Sequence, residues 1–222
     1  DLQGEYQVVP AALGLQTDWL PATEIRGEGI FLRLDDDAVR TWEKREAVKA
    51  RANELRAGFG RWCEDVKEPP DFPGVRFYLL HSLAHLLMTA LSLECGYSAS
   101  AIRERIYCSL PGDAVPMAAI LLATGSSGTE GTLGGLVDQG RHVHQHLRAA
   151  WEMGALCSND PVCGHHTPRG EQTGRLLEGA ACHGCLFVAE CACERFNQFL
   201  DSVQLIGRPQ AQPTTIDFLS GE

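Results

Sequence analysis

Cysteines concentrate towards one end of the sequence, where the segment ACHGCLFVAECACERFN at 181–197 contains four of them. Within this segment, Cys182 and Cys185 form a C-x-x-C pair, a tight turn that lets two sulfurs reach one ion at about 2.3 Å. Two further thiols, Cys157 and Cys163, stand upstream in CSNDPVC. Structural zinc takes four ligands and binds cysteine pairs of this spacing well, so the pattern predicts a zinc site.

The predicted ligand set takes three thiols from the C-terminal segment and one from upstream. Cys182 and Cys185 provide the pair. Cys193 follows at the start of a predicted helix, where the helix dipole favours a thiolate. The fourth ligand is expected from Cys157 or Cys163, and the sequence leaves both open.

Other donors and other uses of the thiols stay open as alternatives. Cys191 is one thiol more than the site needs and is expected to be a bystander. His165, His166 and His183 are less favoured substitute ligands. A redox C-x-x-C pair normally opens a helix after a strand, and no such unit is evident in this sequence. Buried thiols without a metal are the remaining alternative.

The number and placement of the cysteines also bear on the cellular compartment. The chain of 222 residues has nine cysteines, which cannot all pair in disulfides, and most of them lie near one end. Extracellular disulfide scaffolds are usually short and evenly cross-linked. A reducing environment suits this distribution better, so we expect a cytoplasmic protein.

The sequence lacks the signatures of catalytic zinc. The H-E-x-x-H motif of the zincins is approached by His81-Ser-Leu-Ala-His85, which has serine where the general base would stand. Two hydrogen-bonded core histidines are therefore expected on that helix. A zinc nucleobase deaminase needs H-x-E and P-C-x-x-C, and the sequence contains neither. Because four thiolates leave no position open for water, we expect a structural site in a chain that is not an enzyme.

A glycine-rich segment, GSSGTEGTLGGL at 125–136, resembles phosphate-binding loops only superficially. Walker A requires a lysine, and no lysine follows Lys67. Tight packing of this segment is favoured over anion binding, although backbone N–H groups before a helix would still allow an anion. Glu130 is the one charged residue in the segment, and a single carboxylate is weak support for acid–base chemistry.

The net charge argues against unaided nucleic-acid binding. The formal charge is −10, and the three lysines are Lys44, Lys49 and Lys67. Proteins that bind DNA by themselves usually present a basic surface, because phosphate contacts need cations. If this chain meets DNA, we expect a partner or a few arginines to supply the positive charge.

The hydrophobic pattern predicts an α+β fold: a mixed α/β domain with a small central sheet, a buried apolar helix and a C-terminal four-cysteine zinc knuckle. The apolar segment FYLLHSLAHLLMTALSL at 77–93 is slightly short for a membrane span and contains polar residues, so a buried core helix is favoured. Predicted strands lie at 24–34, within 98–109 and at 116–125. Predicted helices lie at 35–58 on the surface, at 77–93, at 137–156 and, as an amphipathic helix, at 193–207.

A proline-rich break, KEPPDFPG at 67–74, suggests a division of the chain into two parts. Residues 1–70 are expected to form an N-terminal strand and a surface helix packed on the rest. Residues 71–222 are expected to form the zinc-binding domain. Since the first residue is Asp1 and not methionine, we expect this chain to be a fragment of a longer protein.

Several motifs occur in an order that resembles a known family. They are EIRGEGIFLRL, HSLAHLLMTALSLECGYSASAIRERIYC, ILLATGSSGTEGTLGGLV, CSNDPVC, and ACHGC followed by CERFNQFLD. Together they resemble the C-terminal region of the DrmB family, core subunits of the DISARM anti-phage defence system, over residues 24–207. The resemblance implies a cytoplasmic, helicase-associated domain with a four-cysteine zinc site.

Ligands and partners also follow from this resemblance. It maps the C-x-x-C pair to Cys182 and Cys185 and the terminal ligand to Cys193, and it leaves Cys157 and Cys163 as alternatives. It implies a DrmA-like DNA helicase subunit as the partner that carries the ATPase, with DNA contacted through the complex. It implies no membrane partner.

Two other functions stay open. One is a metal-dependent DNA hydrolase or nuclease that uses the histidines and Glu130. The other is a stand-alone zinc scaffold protein without a nucleic-acid context.

Overall fold

The architecture is α+β, as the sequence predicts. The computed structural model describes residues 27–98, 100–109, 113–124, 135–168 and 173–203. In these residues, a three-stranded sheet packs with a long apolar helix, and the C-terminal part consists of turns and short 3-10 helices.

The central sheet is antiparallel and has three strands. They are β1 (Gly29–Arg33), β2 (Ile102–Cys108) and β3 (Ala118–Thr124), in the order β1-β3-β2. The central strand β3 is largely buried on both faces, which explains its continuous apolar sequence. In β2, buried and exposed residues alternate, and Ile106 pairs with Ile120 of β3. The three strands predicted from the sequence are therefore confirmed.

The longest apolar segment forms α3 (Val75–Cys95), the core helix of the domain. It ends at Gly96, whose φ of 68° is left-handed, a conformation that glycine adopts without steric cost. Every residue from Arg76 to Met88 is buried, which confirms the predicted core helix. No helix within the described ranges combines the length and apolar character that crossing a membrane requires.

Two helices, α1 (Asp36–Glu43) and α2 (Glu46–Cys63), occupy most of the segment that the sequence assigns to one surface helix. The Asp35 side chain caps α1 by accepting a hydrogen bond from a backbone amide at 2.8 Å. Trp42 and Leu55 are almost fully buried. Apolar residues spaced three or four apart pack these inner faces on the core while the outer faces are exposed, which is the usual pattern of a surface helix.

Residues on both sides of position 70 share one hydrophobic core. The cluster of buried apolar side chains includes Trp42 and Leu55 from the first part and Leu83 and Leu200 from the second. The division at residue 70 therefore stays a prediction about folding units.

The single helix predicted at 137–156 is α4 (Gly135–Gln139) and α5 (Val143–Gly154), with one 3-10 turn between them. The carboxylate of Glu28 accepts hydrogen bonds from two backbone amides at the start of α4, both at 3.1 Å. Ala150 of α5 is fully buried in the core. These contacts hold α4 and α5 against the rest of the fold, and Cys157 and Cys163 follow directly after α5.

The segment 193–203 forms turns, so the amphipathic helix predicted there is wrong. Residues with positive φ in this segment are Phe196 at 52°, Asn197 at 61° and Phe199 at 60°. The Asn197 side chain accepts a hydrogen bond from the Val188 amide at 3.0 Å and donates one to its carbonyl at 2.9 Å. Polar groups here find tertiary partners that a helix would not offer. Residues 204–207 lie outside the described residues.

A buried ion pair joins α2 to this C-terminal segment. Arg51 Nε and Nη2 donate to the two carboxylate oxygens of Asp201 at 2.8 and 3.0 Å. Asp201 also accepts a hydrogen bond from the Ala180 amide at 2.9 Å. Burial by itself would raise the pKa of Asp201, but attraction and hydrogen bonds from Arg51 outweigh it and lower the pKa. The buried carboxylate is therefore ionised and held on both oxygens.

We expect Asp201→Asn to lower the free energy of unfolding by about 3 kcal/mol, because it removes the fully buried carboxylate that pairs with Arg51 and leaves only the partly exposed Glu54 as its charged partner. Urea denaturation measures this change. The control Lys49→Gln removes an ion pair at the surface, in which the Lys49 side chain is 51% exposed and the Glu46 side chain 88% exposed. It should cost about 0.5 kcal/mol or less. Equal, small effects of the two substitutions would contradict the importance of the buried pair.

The same pair gives the stability a pH dependence with a definite sign. The folded pKa of Asp201 lies below its ordinary value of 3.8, so the stabilisation is present above that pH. It is lost as the pH falls through the folded pKa. Urea denaturation across this acidic range should show the loss in the native chain and a smaller one in the Asp201→Asn variant.

Candidate metal centre

Four thiols converge in the C-terminal part of the fold, and we call them the four-thiol cluster. Its members are Cys157, Cys163, Cys182 and Cys185, whose sulfur atoms all lie within 4.8 Å of one another. The Sγ–Sγ distance is 3.5 Å from Cys157 to Cys182, and 3.8 Å from Cys185 to both Cys163 and Cys182. Sulfurs at the corners of a tetrahedron, each about 2.3 Å from one ion, are about 3.8 Å apart. The cluster therefore has the dimensions of a tetrahedral zinc site.

Two segments of the chain present these thiols to each other. Cys157 follows the end of α5 and Cys163 lies in the turns after it. In the C-x-x-C turn, the Cys185 amide donates to the Cys182 carbonyl at 3.1 Å, which points both thiols to one side. A Cβ atom at Gly184 would lie 2.4 Å from the hydroxyl oxygen of Ser158, so glycine permits the close approach of the segments.

Polar N–H groups surround the sulfurs. Asn159 donates from its backbone to Cys157 Sγ at 3.4 Å and from its side chain to Cys182 Sγ at 3.2 Å. The Gly184 amide donates to Cys182 Sγ at 3.3 Å. Such outer hydrogen bonds orient metal ligands and stabilise the charge of a thiolate.

The thiols of the cluster differ in acidity. Hydrogen bonding with Cys163 is the main cause that lowers the pKa of Cys185 to about 6, against the opposing effect of burial. Burial raises the pKa of Cys157 to about 11. Zinc binds thiolates, so metal binding at neutral pH must release protons from the more basic thiols and weaken as the pH falls.

The structure brings together four of the five thiols that the sequence names as ligands. Cys157 and Cys163 both belong to the four-thiol cluster, although the sequence analysis treats them as alternatives. Cys193 lies apart, with its sulfur 3.1 Å from His81 Nε2. It follows a 3-10 turn instead of opening a helix, so the backbone directs its thiol into the core. Cys191 is exposed and lies in neither metal-ligand group of the described residues.

The histidines considered as substitute ligands contact other groups. His165 Nδ1 lies 2.8 Å from the Pro161 carbonyl, and His166 Nε2 lies 3.2 Å from the Arg175 carbonyl. The ring of His183 packs at 5.0 Å from Phe187. None of the three joins the four-thiol cluster in the part of the chain that the structure describes.

A second group of donors, which we call the buried cluster, surrounds Cys193. Its members are His81, His85, Glu104 and Cys193. The histidines are hydrogen-bonded core residues, as the sequence predicts, and burial lowers the pKa of His81, which favours the neutral imidazole. Sequence reasoning misses Glu104. The alternation of β2 places it on the inner face with Ile102 and Ile106, and this signal could have found it.

Glu130 and most of the glycine-rich segment belong to residues 125–134, outside the described residues. Expectations for them stay predictions.

Comparison with known proteins agrees with the geometry. Residues 83–186 match the family model of the MrfA Zn-binding domain, a span that contains the whole four-thiol cluster. The DISARM protein DrmB of Bacillus paralicheniformis is 38% identical over 193 residues, which cover 85% of this chain and 33% of the relative. The chain therefore spans about a third of the length of that curated relative.

These similarities confirm the resemblance seen in the sequence. The chain contains a DrmB-like zinc-binding domain, and zinc is its metal cofactor.

We expect Cys182→Ser to lower the zinc content by one ion per chain, because the remaining three thiols close a tetrahedron poorly. Mass spectrometry of the metal in purified protein measures the content. Cys191→Ser is the matched control, since it removes an exposed thiol of the same region, and it should leave the zinc content unchanged. Unchanged zinc in Cys182→Ser would contradict the role of the four-thiol cluster.

Proposed function

We propose that this chain is a non-catalytic, zinc-stabilised part of a DISARM defence protein of the cytoplasm, and that it binds a DNA helicase subunit. The observation that carries this proposal is the four-thiol cluster. Four thiolates complete the coordination of one zinc ion and leave no position for a water nucleophile. A metal held in this way stabilises a shape and does not turn over a substrate.

The zinc would cross-link two segments that have little regular structure of their own. The turns at 157–165 and at 182–185 contain no α-helix or strand. Such segments bury too little surface to hold their conformation by packing alone, and metal binding supplies the missing free energy of folding. The surface formed by these turns would then exist only in the zinc-bound protein.

Two exposed apolar residues support a protein partner at this surface. Leu156 and Val162 are 73% and 75% exposed, and each is adjacent in sequence to a thiol of the four-thiol cluster. Exposed apolar residues mark a protein-binding surface when they form a contiguous patch, and we propose that these two residues do so beside the four-thiol cluster. We assign this role to the helicase subunit, because the relative that covers most of this chain is a DISARM protein.

DNA engagement would belong to the complex. A net charge of −10 opposes binding of the isolated chain to a polyanion, so the partner must provide most phosphate contacts. The ATPase would reside on the same partner.

The test is co-purification of the full-length protein with a DrmA-like DNA helicase subunit. We expect the native protein to retain the helicase, and Cys182→Ser to lose it together with zinc. Val162→Asp should lose the helicase while retaining zinc, because the substitution places a charge on the proposed contact without touching a ligand. Val115→Asp makes the same substitution at a 66% exposed valine between β2 and β3. It is the matched control for added charge and should retain both.

Other outcomes would overturn the proposal. Full retention of the helicase by both Cys182→Ser and Val162→Asp would exclude this surface as the contact. Metal-dependent DNA cleavage by the isolated chain would instead support the hydrolase considered in the sequence analysis.

A further inference from the structure

The buried cluster of His81, His85, Glu104 and Cys193 has no part in the function proposed above. It joins α3, β2 and the C-terminal segment in the centre of the core. The two histidines are 0% exposed, and Glu104 and Cys193 are each 6% exposed. Burying four ionisable side chains together costs free energy unless they bind each other or a further group.

The backbone fixes which nitrogen of each histidine faces the cluster. His81 Nδ1 lies 3.3 Å from the Phe199 carbonyl, and His85 Nδ1 lies 2.8 Å from the Leu186 carbonyl. A carbonyl can only accept a hydrogen bond, so both Nδ1 atoms carry the proton. In a neutral imidazole, Nε2 then presents a lone pair. A histidine that donates one nitrogen to a carbonyl and turns the other inward has the usual arrangement of a metal ligand.

The Nε2 atoms of both histidines face a carboxylate oxygen. Glu104 Oε1 lies 2.8 Å from His81 Nε2 and 3.3 Å from His85 Nε2. Glu104 Oε2 is buried and has no hydrogen-bond partner among the described residues. The thiol of Cys193 can give its one proton to His81 or to Glu104 but not to both. A carboxylate and an imidazole lone pair at these distances repel each other unless a proton on Nε2 or a metal cation lies between them.

Like sulfurs of the four-thiol cluster, the sulfur of Cys193 is surrounded by N–H donors. It accepts hydrogen bonds from the backbone amides of Arg195 at 3.4 Å and Asn197 at 3.2 Å. Asn197 adopts a positive φ of 61°, a left-handed conformation that asparagine tolerates better than most residues. The turn thereby directs amide groups at this sulfur, as expected of a thiolate ligand.

We propose that the buried cluster binds a second zinc ion, with His81, His85, Glu104 and Cys193 as its four ligands. The ligand atoms lie within 4.8 Å of one another, so small side-chain shifts would bring all four to bonds of about 2.0–2.3 Å with one ion. Two imidazoles, one carboxylate and one thiolate form a donor set of intermediate softness, which suits zinc better than calcium or magnesium.

The geometry favours this site over a catalytic cysteine. In a Cys-His-acid triad, the thiol and the acid contact different nitrogens of the imidazole. Here both approach His81 Nε2, and Nδ1 is occupied by a backbone carbonyl. Together with the burial of the thiol, this arrangement indicates a closed structural site.

The first experiment uses the unmodified full chain. Metal analysis should give two zinc ions per chain. X-ray absorption at the zinc edge should show nitrogen or oxygen at about 2.0 Å beside sulfur at about 2.3 Å. This measurement needs no variant that might fail to fold. One zinc per chain with a sulfur-only shell would overturn the proposal, and the four-thiol cluster and the function proposed above would be unaffected.

Two substitutions then assign the second ion. Cys193→Ser and Glu104→Gln should each lose one zinc per chain, whereas the matched control Cys191→Ser should retain both. Cys182→Ser should also lose one, and the double variant Cys182→Ser/Cys193→Ser should lose two.

Zinc content and melting temperature are measured together for Glu104→Gln. If zinc is bound, the substitution removes a ligand and lowers both. If the cluster contains only protons, the zinc content is unchanged, whichever way the melting temperature moves, because the same change also removes a buried carboxylate that faces two histidines. Unchanged zinc content would contradict the proposed site.

Discussion

The convergence of four sulfur atoms from two segments is the constraint on which the C-terminal half of this fold depends. Thiolates at 3.5–3.8 Å repel each other unless a cation neutralises them, so the cluster and its metal are stable only together. The turns around the cluster contain amides directed at the sulfurs and a glycine that permits close approach. Local structure, metal binding and folding are therefore one coupled event in this region.

The core helix α3 imposes a second constraint. It is surrounded by protein on almost every side, so most polar side chains in its buried part pair with other protein groups. Ser82 accepts a hydrogen bond from the Asp201 amide at 2.8 Å, and Tyr78 donates to the Leu177 carbonyl at 2.8 Å. His81 and His85 contact carbonyls of the same C-terminal part. The helix thus organises a segment that has almost no regular structure of its own.

Three buried or half-buried groups in this fold place a carboxylate against nitrogen-bearing side chains. Arg51 pairs with Asp201, Arg76 pairs with Glu43 at 2.9 Å, and Glu104 faces two histidines and a thiol. In the first two places, the arginine donors match carboxylate acceptors, with Glu54 and Asp36 as further partners. In the third, Glu104 Oε2 has no hydrogen-bond partner among the described residues, and the four side chains present a donor set that suits a metal ion.

The sequence by itself determined the fold class, the core helix, the three strands and the identity of the metal. These features depend on short-range spacing: apolar periodicity, strand alternation and the C-x-x-C turn can be read within a few residues. Only the tertiary structure decided that Cys157 and Cys163 lie together in the cluster while Cys193 joins His81. Which distant thiols meet depends on how α5 and the last turns pack on α3. The helix expected after Cys193 gave way for the same reason, because the Asn197 side chain and the amides near it bond to tertiary partners that no local pattern reveals.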